Sequence, residues 1–398
     1  MKMKKIFLII NPDSSETIVD IARNTINCLR VRNQIVISLE ILHGVSFFRF
    51  VLDMIVQKKQ SKIGFIKKNG IYYYNPLYFP FMCKRSIFLK INVVFQLIYI
   101  NWWLHTYYSD YKKIVWIFDP SLAYISLFFP KNYFVLYDIC DYFVLPNKLN
   151  NWILELEKKY LTLKANIICV NSVILKNIYT LYSSKKIHIV PQGFDLHAID
   201  ETIVMKNILG GRKFVIGFVG GISERLDYKI LYPLIKQNPQ WQFVFLGPIQ
   251  HEIYVQQRDF SEDLHAIFSL PNVNYVEKQK RTVVYEYIKQ FDVCIIPYDI
   301  QYVFNKYCYP MKLFEYFYFG KPVIATPIEE LKFFPNYVKI GRTSEEWEKH
   351  IKAVLKNTWP KTYKKEQKRL AIENSWEKKI STICHIIDMN IQKDFSTN

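Results

Sequence analysis

The chain has 398 residues, more than one ordinary hydrophobic core holds, so two domains are the natural reading. Half of the residues are hydrophobic and 22% are charged, a balance that lets each half bury a core and excludes wholesale disorder. The net charge of +18 is uneven: residues 1–200 hold 25 Lys/Arg against 13 Asp/Glu, an excess that speaks to an anionic partner and not to fold.

In chain order, the apolar run Ile6 to Ile10 is shorter than the ~7–15 residues of a signal-peptide core, and no small-residue cleavage site follows. It reads as a first buried strand, Lys5–Ile10. Further strands are predicted at Ile35–Leu39, Ile71–Tyr74, Ile114–Phe118, Tyr133–Tyr137 and Asn166–Val170, with an amphipathic helix over Asn150–Leu163. Between Met54 and Ser109 lie eight basic residues (58, 59, 62, 67, 68, 84, 85 and 90), no acidic one, and a crowd of aromatics such as Tyr72-Tyr73-Tyr74 and Trp102-Trp103. That mixture fits an anionic membrane face or nucleic acid, or merely codon bias towards Lys, Tyr, Phe and Ile. The longest apolar stretch, Ile91 to Leu104, is broken by Asn92, Gln96 and Asn101 and falls short of the ~20 residues that cross a bilayer. A strand at Ile187–Val190 runs into the turn Pro191 to Asp195, which closes a first domain of residues 1–200.

The pattern then restarts. Lys213–Val219 is a buried strand ending on Gly220-Gly221, followed by a helix from Leu226 to Lys236. Strands at Trp241–Leu246, Val273–Val276, Val293–Ile296 and Pro322–Ala325 alternate with helices near Val283–Gln290 and Met311–Phe319. This makes residues 201–373 a second doubly wound sheet. Residues 374–398 read as a terminal amphipathic helix, with Trp376, Ile380, Ile383, Cys384 and Ile387 on one stripe, able to pack back across the hinge. Both sheets would turn the carboxyl ends of their strands into a shared cleft, where α/β sheets bind ligands. The seven cysteines (28, 83, 140, 169, 294, 308 and 384) have no metal-like spacing and several sit inside strands, the pattern of reduced core thiols in a cytosolic protein. No Asp-x-Asp metal pair is present.

The strand–Gly220-Gly221–helix junction is a phosphate site in physical terms, because glycines admit close backbone approach and helix-start N–H groups attract a diphosphate. It lacks the dinucleotide glycine spacing, and no ribose-binding acid ends the next strand, which closes on Gly247-Pro248. The strongest constellation runs from Tyr309 to Thr326. Pro310 suits a helix start, and Lys312 and Glu315, three apart, share one helix face. The lysine can meet phosphate and the glutamate can accept from ribose hydroxyls.

Pro310-x-Lys312-x-x-Glu315-Tyr316 followed by Gly320-x-Pro322-Val323 resembles the donor-nucleotide segment of GT-B glycosyltransferases. Four further segments agree in order: Gly217 to Ile222 with Arg225 and Asp227, Phe245 to Pro248, Asn272 to Val276, and Phe291 to Tyr298. The resemblance covers residues 165–390 well and the first domain loosely. It implies two Rossmann-like domains and a nucleotide diphosphate sugar, with Gly220, Gly221, Arg225, Tyr298, Pro310, Met311, Lys312 and Glu315 about the donor. Within the superfamily the chain resembles the xanthan-type glucuronosyltransferase and its capsule-building relatives; that likeness places Glu277 at the donor. It further implies an inverting, metal-independent enzyme on the inner face of the cell membrane, with a lipid-diphosphate-linked glycan acceptor and no cofactor beyond the donor. One departure matters: the glutamate that common retaining members carry eight positions before Glu315 is Tyr307 here.

Inversion needs a general base in the first domain to deprotonate the acceptor hydroxyl. Three aspartates follow strands there, favoured in the order Asp141, Asp119, Asp138. His188 and His197 flank the domain junction and read as structural. Two other readings stand beside the transferase: a nicotinamide-dependent oxidoreductase, against which the missing glycine fingerprint counts, and a nucleic-acid-binding protein, suggested by charge alone.

Overall fold

The computed structural model describes residues 3–10, 16–39, 45–46, 63–78, 87–142, 155, 157–199, 214–251 and 258–396. The first domain is built on β1 (Lys5–Ile10), α1 (Glu16–Val31), β2 (Ile35–Leu39), β3 (Val45–Ser46), β4 (Gly64–Lys68), β5 (Ile71–Asn75) and β6 (Leu77–Tyr78). It continues through α2 (Ile87–Tyr107), β7 (Lys112–Ile117), a 3-10 helix (Pro120–Phe128), β8 (Phe134–Ile139), a π-helical turn (Glu157–Thr162), β9 (Ile167–Val170), α3 (Val173–Thr180) and β10 (Ile187–Ile189). The main sheet has the order β10-β9-β8-β7-β1-β2-β5-β4, parallel except for the antiparallel pair β4–β5. Its apolar runs are buried on both faces, and period-two alternation divides them: Ile6, Leu8 and Ile10 join the core under α2, while Phe7 and Ile9 join the core on the α1 side.

The second domain contains β11 (Val215–Val219), α4 (Tyr228–Gln237), β12 (Gln242–Leu246), α5 (Ser261–Phe268), β13 (Val273–Val276), α6 (Arg281–Gln290), β14 (Val293–Ile296), α7 (Val303–Tyr307), α8 (Lys312–Tyr318) and β15 (Val323–Ala325). A 3-10 helix (Glu329–Phe333), β16 (Val338–Ile340), α9 (Ser344–Lys356) and α10 (Lys361–Glu373) complete it. The order β13-β12-β11-β14-β15-β16 is all parallel and reverses at β11, the crevice position where such sheets bind nucleotides. The last helix, α11 (Trp376–Ser396), does return to the first domain: Trp376, Ile380, Ile383, Ile387 and Ile391 share a core with Phe7, Trp116 and Cys169. Where the chain crosses between domains, Phe194 exchanges backbone hydrogen bonds with Asn374 and Trp376, at 3.0 and 3.2 Å. Gly193 is needed there, because a Cβ would lie 2.7 Å from the Trp376 backbone.

The sequence-based strands sit within a few residues of the observed ones. Of the expected helix Asn150–Leu163, residues 155 and 157–163 are described, and 157–162 form a π-helical turn. Residues 200–213, where the domain boundary was expected, lie outside the described residues, as do Lys58, Lys59, Lys62, Cys83, Lys84 and Arg85. The aromatic crowd divides in two. Phe65 stacks on Trp103 with ring centroids 3.9 Å apart, and Tyr108 donates to Tyr72 at 3.0 Å, so these partly buried rings pack against the core. Ile91, Phe95, Ile98 and Trp102, spaced for one face of α2, are instead 45–59% exposed. Among the described residues no helix is long and apolar enough to cross a membrane.

Candidate active site

A cavity of about 430 Å³ opens between the domains at the carboxyl ends of both sheets. Its second-domain wall begins where β11 and β12 end. Gly220 and Gly247 have φ of +134° and +148°, which L side chains rarely adopt. A Cβ on Gly247 would stand 2.1 Å from the Gly220 carbonyl oxygen, so the two strand ends touch through bare backbone. The helix expected from Leu226 starts within two residues of that position, not at Gly221 itself. A turn intervenes, α4 begins at Tyr228, and Asp227 caps it by accepting from the Ile230 N–H at 3.2 Å. The positive charge at the glycines comes instead from Lys312, whose Nζ would be 2.7 Å from a Gly220 Cβ.

Lys312 is carried by the first residue of α8, just past Pro310 and Met311, and all three line the cavity. Its ammonium stands 4.0 Å from the Phe218 ring centroid and 4.7 Å from that of Tyr298. Arg225 meets the Tyr298 ring as well, at 4.4 Å. Its Nε–H donates to Asn305 Oδ1 at 2.7 Å, and Asn305 Nδ2 donates to the Arg225 and Asp299 carbonyls. Two cations on one tyrosine make a strongly positive pocket, suited to a diphosphate. Glu315, one helical turn beyond Lys312, is 5% exposed and lines the same wall. Its Oε1 accepts from Nη1 of Arg281, at the start of α6, forming an ion pair. One carboxylate oxygen is thus engaged and the carboxylate is oriented at the cavity edge.

The first-domain wall is made by Cys140, Asp141 and Gln192. Of the three candidate bases, the structure brings only Asp141 to the cavity. Asp119 is 6% exposed at the end of β7 and does not line it. Asp138 is displaced for a clear reason. Alternation along β8 turns its side chain towards α11, where Oδ1 pairs with Lys379 at 3.1 Å and Oδ2 accepts from Trp116 Nε1 at 3.3 Å. Both partners of that pair are buried to within 1%, so Asp138 is a packing ion pair and not a base. Glu277 is exposed beyond β13 and stays off the lining, which takes Lys278, Gln279 and Arg281 from the same loop. Tyr307 meets Tyr142 edge to face across the cleft, with centroids 5.6 Å apart. His188 is half-buried on β10, with its pKa lowered by burial, and His197 is exposed and pairs with Glu377 at 2.9 Å; neither lines the cavity. Among the described residues no group of three or more His, Cys, Asp and Glu comes together as a metal site.

Sequence reasoning missed Arg281, Asn305, Lys278 and Gln192. Arg281 and Asn305 act through partners 34 and 80 residues away, which no local spacing reveals.

Two doubly wound domains, a cleft with a glycine-and-cation wall facing a carboxylate, and a last helix that returns to the first domain define the GT-B fold. Residues 213–357 match the family model described as Glycosyl transferases group 1. TuaH of Bacillus subtilis (strain 168), whose name assigns it glycosyl transfer in teichuronic acid biosynthesis, is 25% identical over 281 residues, 66% of this chain and 68% of that protein. Sucrose-phosphate synthase from Thermosynechococcus elongatus superposes with a TM-score of 0.70 at 14% identity, covering 99% of this chain and all of that one. Anabaena Alr3699/HepE, solved in complex with UDP, gives 0.69 at 12% identity, covering 97% and 100%. At such identities the superpositions speak for fold alone. With the family match, they make this chain a glycosyltransferase of GT-B fold, which sets aside the oxidoreductase and non-catalytic readings.

Proposed function

We propose that the enzyme moves a sugar from a UDP-linked donor to a lipid-diphosphate-linked glycan in surface polysaccharide assembly, with inversion at the anomeric carbon. The observation that carries this reading is the shared cavity, which sets Asp141 on one wall against Gly220, Lys312 and Glu315 on the other. Glu315 accepts from the ribose hydroxyls, and the diphosphate lies over the Gly220-Gly221 backbone between Arg225 and Lys312. Asp141 removes the proton from the acceptor hydroxyl as its oxygen attacks the anomeric carbon. The bond to the diphosphate breaks, and UDP leaves with its charge offset by the two cations, so no metal ion is required. Tyr307, in place of a carboxylate, supports inversion over retention.

The UDP and UDP-glucose held by Anabaena HepE support the choice of nucleotide, and the naming of TuaH supports a surface polysaccharide, a teichuronic-type or xanthan-type product being equally compatible. The outward apolar face of α2 supports a peripheral position on the inner face of the cell membrane, where a lipid-linked acceptor resides. A panel of nucleotide sugars, offered with a lipid-diphosphate glycan in vesicles, tests the proposal. The expected result is UDP release and glycan extension by wild type, lost by at least ~100-fold in Asp141→Asn with UDP affinity kept. Undiminished turnover in Asp141→Asn removes it as the base; extension dependent on another nucleotide removes the donor assignment.

A further inference from the structure

The two domains are fastened at a point that nothing in the donor chemistry requires. Glu330 lies in the 3-10 helix after β15, in the donor domain, and is 4% exposed. Its Oε1 accepts from the Val173 N–H at 3.1 Å and its Oε2 from the Ile174 N–H at 3.2 Å. Those are the first two residues of α3, in the other domain. Amide groups at a helix start carry partial positive charge, and a carboxylate bridging two of them makes charge-assisted hydrogen bonds. The third amide of the turn, Leu175, is capped within its own domain by Ser172 Oγ at 3.1 Å.

The segment so held leads directly to the cavity. Asn171, two residues before Val173, donates through Nδ2 to the carbonyl of Cys140, and the next residue is Asp141. A donor-domain carboxylate is therefore joined, through one helix start and one side-chain amide, to the strand end that presents the proposed base. The Tyr142–Tyr307 ring contact crosses the cleft beside the same strand end.

We propose that Glu330 is a positioning residue: by capping α3 from across the cleft it sets the distance between Asp141 and the wall formed by Lys312 and Glu315. This rests on the assignment of Asp141 as base. Burial pushes the Glu330 carboxyl up from its ordinary pKa while the two amides pull it down.

The test compares Glu330→Ala and Glu330→Gln with Ser172→Ala, which weakens the same helix start without touching the other domain. Small-angle scattering of the full chain, UDP affinity by calorimetry, and kcat and KM with the UDP-sugar chosen by the donor panel are measured. Glu330→Ala is expected to expand the particle and lower kcat ~10–100-fold, the scale of a misplaced catalytic group, with UDP affinity within about twofold of wild type. Glu330→Gln, which keeps one acceptor, is expected to fall between. Ser172→Ala should lower the melting midpoint and leave scattering and kcat near wild type. Wild-type scattering and kcat in Glu330→Ala overturn the proposal, as does a loss of UDP affinity in step with melting, which marks a purely structural role. An expanded particle with unchanged kcat overturns the positioning role too. The scattering result does not depend on which group is the base, so a failure of Asp141 in turnover remains distinguishable from a failure of the interdomain cap.

Discussion

Glu157 is fully enclosed beneath the site, 2% exposed on the π-helical turn. Its Oε1 accepts from the Tyr179 hydroxyl at 2.6 Å and from the Tyr137 hydroxyl. Burial raises its pKa from the ordinary 4.5 to about 7, against the pull of both tyrosines. At about 1.4 kcal/mol per pH unit, holding this carboxylate ionised inside the fold costs ~3 kcal/mol relative to the unfolded chain. Because the folded value lies above the unfolded one, the stabilisation is complete below pH ~4.5 and disappears as pH rises through about 7. Glu157→Gln keeps an Oε1 that both hydroxyls can meet and removes the ionisation. Urea unfolding at pH 4 and pH 8 is the assay: the variant should match wild type at pH 4 and exceed it at pH 8 by up to ~3 kcal/mol. A variant less stable than wild type at pH 8, or a gap equal at both pH values, refutes the reasoning. The stakes are functional, since Tyr137 is on β8 and Tyr179 on α3, the elements that present Asp141 and meet Glu330.

Gly247→Ala combines a disfavoured φ with a Cβ driven into the Gly220 carbonyl; a loss of ~3 kcal/mol and of UDP binding is expected, seen as a lower melting midpoint that UDP no longer raises. UDP protection of the variant equal to wild type would show that the strand ends do not form the phosphate seat. On α2, Phe95→Asp with Trp102→Asp should weaken binding to anionic vesicles at least ~10-fold in sedimentation, each side chain being worth ~1.5–3 kcal/mol when buried in lipid. Equal partitioning of variant and wild type would assign that face to something other than a membrane.

The sheet strands were legible because they are continuous apolar runs buried on both faces, as in Val215–Val219 and Val293–Ile296. The Lys312–Glu315 spacing was legible because both side chains lie on one short helix with a fixed start at Pro310. The β4–β5 hairpin carried a readable signal in Asn69-Gly70, whose φ values of 52° and 81° belong to a type I′ turn. Other features had no local signature. Three aspartates after strands look alike in sequence, and Asp138 is distinguished from Asp141 by Lys379, 241 residues further on. Glu330 and Val173 are likewise 157 residues apart, so a cap that crosses domains reads in sequence as one more surface glutamate.

The central claim, a uridine diphosphate seat ending at Glu315, is tested most directly by calorimetric titration of UDP into wild type and Glu315→Ala. Wild type should bind UDP, and Glu315→Ala should bind it at least ~10-fold more weakly, the loss of hydrogen bonds to a charged group, at an unchanged far-ultraviolet spectrum. Undiminished UDP affinity in Glu315→Ala, or no UDP binding by wild type, contradicts the donor site described.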